Sequence, residues 1–256
     1  RKTEQLIDTL DKVEQNRKEC YIREFSIEHF HDSKVFETLI PKICKIFREE
    51  NEELTGFENE EILAEYQIYK TPGYVYMKGN VQIYSAGKQA ADISAFPEGI
   101  AVAVGSEEDV PDICPDQTID KVFTIENLTS FYRFKQEHSL VIYLGGYHDR
   151  SRRNLLMQIY QKLPDAQYYH FGDLDAGGFY ILEHLKRKTG IPFQMFQMDI
   201  ETLKKYEDYA KPLTENDKKR LMQLEKMELP DEERKLITYM LQKGIKLEQE
   251  CISESQ

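Results

Sequence analysis

No stretch of this 256-residue chain approaches the roughly 20 consecutive apolar residues that a membrane-spanning helix needs, so no spanning segment is expected. A signal peptide is not expected either, because Arg1, Lys2 and Glu4 charge the start and no apolar core follows. The opening lacks a methionine, as in a trimmed chain or the tail of a longer protein. Cysteine is sparse: Cys20, Cys44, Cys114 and Cys251 stand far apart with no Cys-x-x-Cys pair. That argues against a zinc site and against a disulfide framework, and a reducing cytoplasm fits best. Positive charge is also short, with 34 Lys and Arg against 46 Asp and Glu, a net charge of −12. Counterion release rewards lysine and arginine along a nucleic-acid backbone, so this balance disfavours a simple nucleic-acid binder. A metal-dependent nuclease is a partial exception, since its centre must itself be acidic and its basic contacts can be local. Internal repeats and low-complexity segments are absent.

What is present suits one large domain or two ordinary ones: 40% of residues are hydrophobic, including 13 Phe and 16 Tyr. Residues 1–19 and 33–50 read as helices, the second from the helical spacing of Val35, Phe36, Leu39, Ile40, Ile43, Ile46 and Phe47, with Ser33 as its expected N-cap. Glu49 to Glu61 reads as a solvated acidic stretch. After the turn at Thr71-Pro72-Gly73, Tyr74 to Met77 and Val81 to Tyr84 flank Lys78-Gly79-Asn80 and read as a hairpin. Helices followed by a hairpin suggest a winged helix or a plain α+β support domain. Another short strand is expected at Ile100 to Val104, and Pro111 and Pro115 mark a boundary, giving domains at 1–114 and 115–256.

From Lys121 the pattern is regular. Strands are expected at Val122–Ile125, Leu140–Leu144, Gln167–Phe171 and Phe193–Met198, each followed by a helix or a helical tail. Strand–helix alternation with short connections predicts an α/β fold: a mostly parallel sheet with helices on both faces and right-handed crossovers. The last 45 residues read as helical, through Leu221, Leu224, Leu236, Ile237, Met240 and Leu241.

In such sheets ligands collect at the carboxyl ends of the strands. Glu126 follows the first strand of this region, and Asp173 and Asp175 follow the third. Residues two apart in an extended segment point the same way, so both aspartates can face one ion. Mg²⁺ wants hard oxygen ligands and keeps several waters, so two or three carboxylates suffice, and such an ion can polarise a phosphodiester and activate water. Each acid has a plainer alternative, Asp-x-Asp as a helix N-cap and Glu126 as a first-turn residue favoured by the helix dipole. Arg150, Arg152 and Arg153 open the helix after the second strand, where they can grip phosphates or simply be surface residues. His148 and His170 are placed to assist proton transfer, but packed histidines at strand ends are commoner and neither is assigned a role.

Thr124-Ile125-Glu126-Asn127-Leu128, taken with His170-Phe171-Gly172-Asp173-Leu174-Asp175-Ala176-Gly177-Gly178, resembles the Toprim domain of topoisomerases, primases and certain nucleases. Within that group it is most similar to the nuclease subunit of the Wadjet anti-plasmid systems, itself related to the topoisomerase VI A subunit. The stretches Val75 to Ile83, Asp92 to Ile100, Gly145-Gly146 and Leu247-Glu248-Gln249-Glu250 add looser support. The resemblance implies metal-dependent DNA cleavage, with Glu126, Asp173 and Asp175 binding Mg²⁺ or Mn²⁺ and Glu248 and Glu250 completing the site. It implies recruitment by an SMC/condensin-like complex and, by analogy, a homodimer. Lys78 falls in one of the matching stretches and joins the three arginines as an expected DNA contact.

Topoisomerase VI relatives attack DNA with a tyrosine, and Tyr21, Tyr66 and Tyr69 occupy the N-terminal part without a matching motif. Hydrolysis by water is therefore the leading expectation. A tyrosine transesterase, or a non-catalytic adaptor with an idle acidic site, are the alternatives.

Overall fold

A computed structural model describes residues 2–51, 54, 57–70, 73–104, 111–145 and 150–252. The expected turn at Thr71-Pro72 and the residues Gly146, His148 and Asp149 lie outside them, as do the side chains of Arg150 and Ser151. The chain divides into two compact units, one of residues 1–74, 103–110 and 147–152, the other of residues 75–102, 111–146 and 153–256. No described helix is long and apolar enough to cross a membrane.

The first unit is helical: α1 (Lys2–Gln15), α2 (Ile22–Phe30), α3 (Val35–Glu50) and α4 (Asn59–Glu65), with the short parallel pair β1 (Cys20–Tyr21) and β2 (Ile68–Tyr69). The expected apolar stripe of α3 is the one that packs, with Phe36, Ile43, Cys44 and Phe47 buried. Its N-cap is Lys34, which makes no side-chain cap bond, rather than Ser33. Helix α2, missed by periodicity, buries Ile22 and Phe25, the latter against Phe36 at a ring separation of 4.5 Å. Phe47 stacks on Tyr66 at 4.7 Å.

The second unit is built on β3 (Gly73–Lys78), β4 (Val81–Ser85), β5 (Lys88–Asp92), β6 (Ile100–Val104), β7 (Asp112–Pro115), β8 (Lys121–Ile125), β9 (Ser139–Tyr143), β10 (Gln167–Phe171) and β11 (Gln194–Met195). Six of these form one sheet in the order β11-β10-β8-β9-β3-β6. Strands β8, β9, β10 and β11 run parallel, whereas β3 is antiparallel to β9. The connections are α5 (Leu128–Arg133), α6 (Arg150–Lys162) and α7 (Ala176–Thr189). This is the α/β alternation expected from Lys121 onward, with strand–helix bounds close to those read from the sequence.

The hairpin expected at Tyr74–Tyr84 does not form. Strand β3 enters the large sheet beside β9, while β4 pairs with β5 and β7 in a separate three-stranded sheet. Gly79 makes the crossing at φ 139°, where an added Cβ would lie 2.5 Å from the Ser139 carbonyl oxygen. Both strands bury an alternating apolar face (Val75 and Met77, then Val81 and Ile83). Strand β3 pairs with the distant β9, while β4 forms its hairpin with the next strand, β5, and takes β7 on its other side. A winged helix built on that hairpin is therefore not the architecture.

Beyond α7 lie α8 (Ile200–Lys205), β12 (Lys211–Pro212), α9 (Glu215–Leu224), α10 (Asp231–Lys243) and β13 (Ile245–Lys246). Leu221, Leu224, Leu236, Ile237 and Met240 share a core with Phe171, Leu174, Ala176 and Phe179, so the C-terminal helices cover the region that carries the acids. Glu233 of α10 is buried in this packing and pairs with Lys186 of α7, which also meets Glu183 at 2.8 Å. Burial pushes the Glu233 carboxyl up to about 7, with Lys186 opposing the shift and Glu183 reinforcing it. Its folded value lies above the ordinary 4.5, so ionisation weakens folding progressively as pH rises between about 4.5 and about 7. The Glu233→Gln protein should thus gain on the wild type in melting temperature across that interval and hold the gain above it, as thermal melts at several pH values will show.

Candidate metal centre

Parallel pairing sets the first geometry. Strands β8 and β10 are in register with Thr124 opposite His170 and Ile125 opposite Phe171, and the Glu126 amide continues the ladder by donating to the Phe171 carbonyl at 3.0 Å. Glu126 and Gly172 are therefore neighbours where both strands end. The bare Gly172 makes room for the glutamate, since an added Cβ would lie 2.7 Å from Glu126 Oε2 and 2.8 Å from His170 Nε2.

Glu126 is not a first-turn helix residue. The N-cap of α5 is Asn127, whose side chain accepts from the Ser130 amide at 3.0 Å. Asp175 does cap a helix, accepting from the Gly178 amide of α7 at 2.9 Å, so the plainer reading of that residue holds beside any other role. Asp173 is held differently. Its Oδ1 accepts the Gln249 backbone amide at 2.7 Å, and its own amide donates to Glu126 Oε2 at 3.4 Å. Between the aspartates, the buried Leu174 exchanges two backbone hydrogen bonds with Leu247, at 2.9 and 3.1 Å.

That bridge brings the C-terminal segment against the acids. Leu247 and Gln249 are buried while Glu248 and Glu250 are exposed, where the chain passes from the Leu174–Leu247 bridge into a single 3-10 turn at Gln249–Cys251. The Gln249 side chain, fully buried, donates to the Phe171 carbonyl at 3.0 Å and accepts the Asn127 amide at 2.9 Å. Glu250 accepts from Asn127 Nδ2 at 2.6 Å, and Glu248 pairs with Lys211 of β12. Burial, with the charges of Asp175, Glu250 and Glu248, pushes the Asp173 carboxyl up to about 6, against the Gln249 amide that favours its ionised form. Asp173, Asp175, Glu248 and Glu250 thus form one electrostatic group, with Glu126 hydrogen-bonded to its centre.

The donors are all hard carboxylate oxygens, which suit Mg²⁺ or Mn²⁺. Among the described residues, no three His, Cys, Asp or Glu side chains converge closely enough to hold an ion as they stand. Ligation would require side-chain movement; the Asp173 carboxyl is raised by its own burial and by the charges of Asp175, Glu250 and Glu248, a field that a cation would offset.

The basic residues are placed less uniformly. Lys78 is buried, its ammonium donating to the Phe131 and Tyr132 carbonyls at 2.5 and 3.3 Å and lying 4.9 Å from the Phe131 ring. It satisfies the end of α5, and a phosphate-gripping role is withdrawn for it. Arg152 donates to the Tyr74 carbonyl at 3.2 Å. Arg153 lies near His184, whose imidazole is held down to about 3 by burial, Arg153, Lys188 and Arg187. His170 is fully buried, and burial pushes its imidazole down to about 3, so it is neutral.

Sequence reasoning quoted Gln249 and Asn127 without giving either a role. The signal available for Gln249 was its place in an inward–outward alternation beside Leu247. Replacing Gln249 with alanine leaves the Asn127 amide without its partner and the Phe171 carbonyl with the Glu126 amide alone. The variant should lose on the order of 2–3 kcal/mol in urea unfolding, whereas a rim substitution such as Glu248→Gln should stay within about 0.5 kcal/mol.

The family described as Wadjet protein JetD, C-terminal, matches residues 108–256 of this chain. The chain is also 29% identical over 254 residues to the Wadjet protein JetD of Bacillus cereus (strain Q1). That match covers 97% of this chain and 61% of the relative, so the chain spans less than two thirds of the relative's length.

Proposed function

Because the chain belongs to the family of the Wadjet protein JetD C-terminal region, we propose that it is a Toprim-type, divalent-metal-dependent endonuclease that cuts DNA as the nuclease subunit of a Wadjet defence complex. The observation that carries this reading is the Asp173 carboxyl, raised to about 6 by burial among Asp175, Glu250 and Glu248 at the carboxyl ends of parallel strands. A carboxyl withdrawn from water beside other negative charges is costly unless something offsets it, and a divalent cation is the partner these oxygen donors suit.

Glu126, Asp173 and Asp175 would hold the ion, with Glu250 and Glu248 at the rim. When bound, Mg²⁺ or Mn²⁺ would supply Lewis-acid polarisation of a phosphodiester and activation of water. The chain's own residues do the positioning. The Gln249 amide fixes one oxygen of Asp173, and Leu174 anchors the segment between the two aspartates. Arg150, Arg152 and Arg153 are proposed phosphate contacts. The implied partners are double-stranded plasmid DNA, an SMC/condensin-like complex and a second copy of the chain, working in the cytoplasm.

A tyrosine transesterase is the weaker reading. Tyr66 stacks on Phe47, and burial, with nearby glutamates, raises its hydroxyl pKa, the opposite of what a phenolate nucleophile needs. Supercoiled plasmid incubated with the protein and Mn²⁺ should be nicked or linearised by the wild type. Glu126→Ala and Asp173→Ala should lower the rate by at least about 10²-fold. Cutting at the wild-type rate by Asp173→Ala would refute the mechanism, and covalent protein–DNA adducts on denaturing gels would favour the tyrosine route.

A further inference from the structure

Among the described residues, His170 has a buried ring nitrogen without a hydrogen-bond partner. It lies in β10 directly across from Thr124 of β8, and their side chains meet, His170 Nδ1 standing 2.9 Å from Thr124 Oγ1. The other ring nitrogen, Nε2, is buried without a hydrogen bond. Two residues further along each strand, on the same sheet face, stand Gly172 and Glu126. The point where a Gly172 Cβ would sit is within 2.8 Å of His170 Nε2 and within 2.7 Å of Glu126 Oε2, so both atoms border one gap that any other residue would fill.

A neutral imidazole carries one proton, on Nδ1 or on Nε2, and its partners decide which. With the proton on Nδ1, a bare lone pair on Nε2 would face a carboxylate oxygen across a water-poor gap, two acceptors with nothing between them. With the proton on Nε2, the ring offers a donor to the carboxylate, and the Thr124 hydroxyl donates to Nδ1. The distances agree with the second arrangement, because the other acceptor for that hydroxyl, the Tyr169 carbonyl, is farther away at 3.3 Å.

We propose that His170 is a positioning residue for Glu126: its Nε2–H holds the glutamate carboxylate, directly or through one water seated over Gly172, in the orientation from which it ligates a divalent cation. This rests on the metal-centre reading above. Ligating carboxylates are themselves commonly oriented by an outer hydrogen-bond donor, whose loss weakens metal affinity by roughly 10–100-fold. It also gives Gly172 a purpose beyond chain flexibility, because a side chain there would separate donor from acceptor.

Two measurements on the full chain test it. Long-range proton–nitrogen spectra of protein labelled at histidine should show His170, assigned by its disappearance in His170→Gln, as the Nε2–H tautomer, with its ring signals moving in Glu126→Gln. Calorimetry with Mn²⁺ alone should show about 10–100-fold weaker binding in His170→Phe and recovery of most of that loss in His170→Gln, whose amide N–H can replace the donor. An Nδ1–H tautomer, or signals indifferent to Glu126→Gln, would overturn the proposal, as would unchanged Mn²⁺ affinity in His170→Phe. If the wild type binds no Mn²⁺, the metal reading falls and the tautomer experiment alone decides whether His170 positions Glu126.

Discussion

Two hydrogen bonds between Leu174 and Leu247 hold the rest of the site in place. They bind the middle of the Asp-x-Asp segment to a stretch of chain more than 70 residues away in sequence, and they do so in the buried core. Once that bridge exists, the turn that follows it delivers Gln249 between the ends of β8 and β10. Its amide reaches Asp173, and its side chain closes the hydrogen bonding of Phe171 and Asn127. Without the bridge, the strand ends would keep exposed backbone groups and Asp173 would lose its fixed donor. The packing of α9 and α10 against Phe171, Leu174 and Phe179 thus supports the site from behind.

The electrostatics follow from this assembly. Two of the parallel strands, β8 and β10, end side by side, and acids follow both ends. Burial and neighbouring negative charge act in the same direction on Asp173 and outweigh the single backbone donor it receives. Part of the net charge of −12 is concentrated in this group, where Asp175, Glu248 and Glu250 act on Asp173. Lysine takes a different part. Lys78 is spent on the helix end beneath β3, Lys186 on Glu183 and Glu233, and Lys211 on Glu248.

Much of this was legible in the sequence wherever the information was local. Strands β8, β9 and β10 are runs of apolar residues closed by a helix start, and the acids at their ends follow from that alone. What failed depended on distant partners. The β3 and β4 runs have the composition and the turn of a hairpin, yet they belong to different sheets, β3 beside β9 and β4 between β5 and β7. The segment from Leu247 to Glu250 is too short to show a period, and its bridge to Leu174 ahead of the 3-10 turn at Gln249–Cys251 depends on a partner far away in sequence. Lys78 was read as a DNA contact from its place in a stretch resembling the family, because only the folded state shows that its ammonium is taken by the carbonyls of α5. Asp175 stands between these cases: its N-cap geometry was foreseen as an alternative to a ligand role, and the cap is present.

Calorimetric titration of the full chain with Mn²⁺ as a function of pH asks whether Asp173 belongs to a cation site, as proposed. A carboxyl raised to about 6 must give up its proton when a cation binds. The account predicts saturable binding that releases protons and weakens as pH falls through about 6, and that is lost in Asp173→Asn. Binding of the same strength and pH dependence in Asp173→Asn, or no binding by the wild type at any pH, would contradict it.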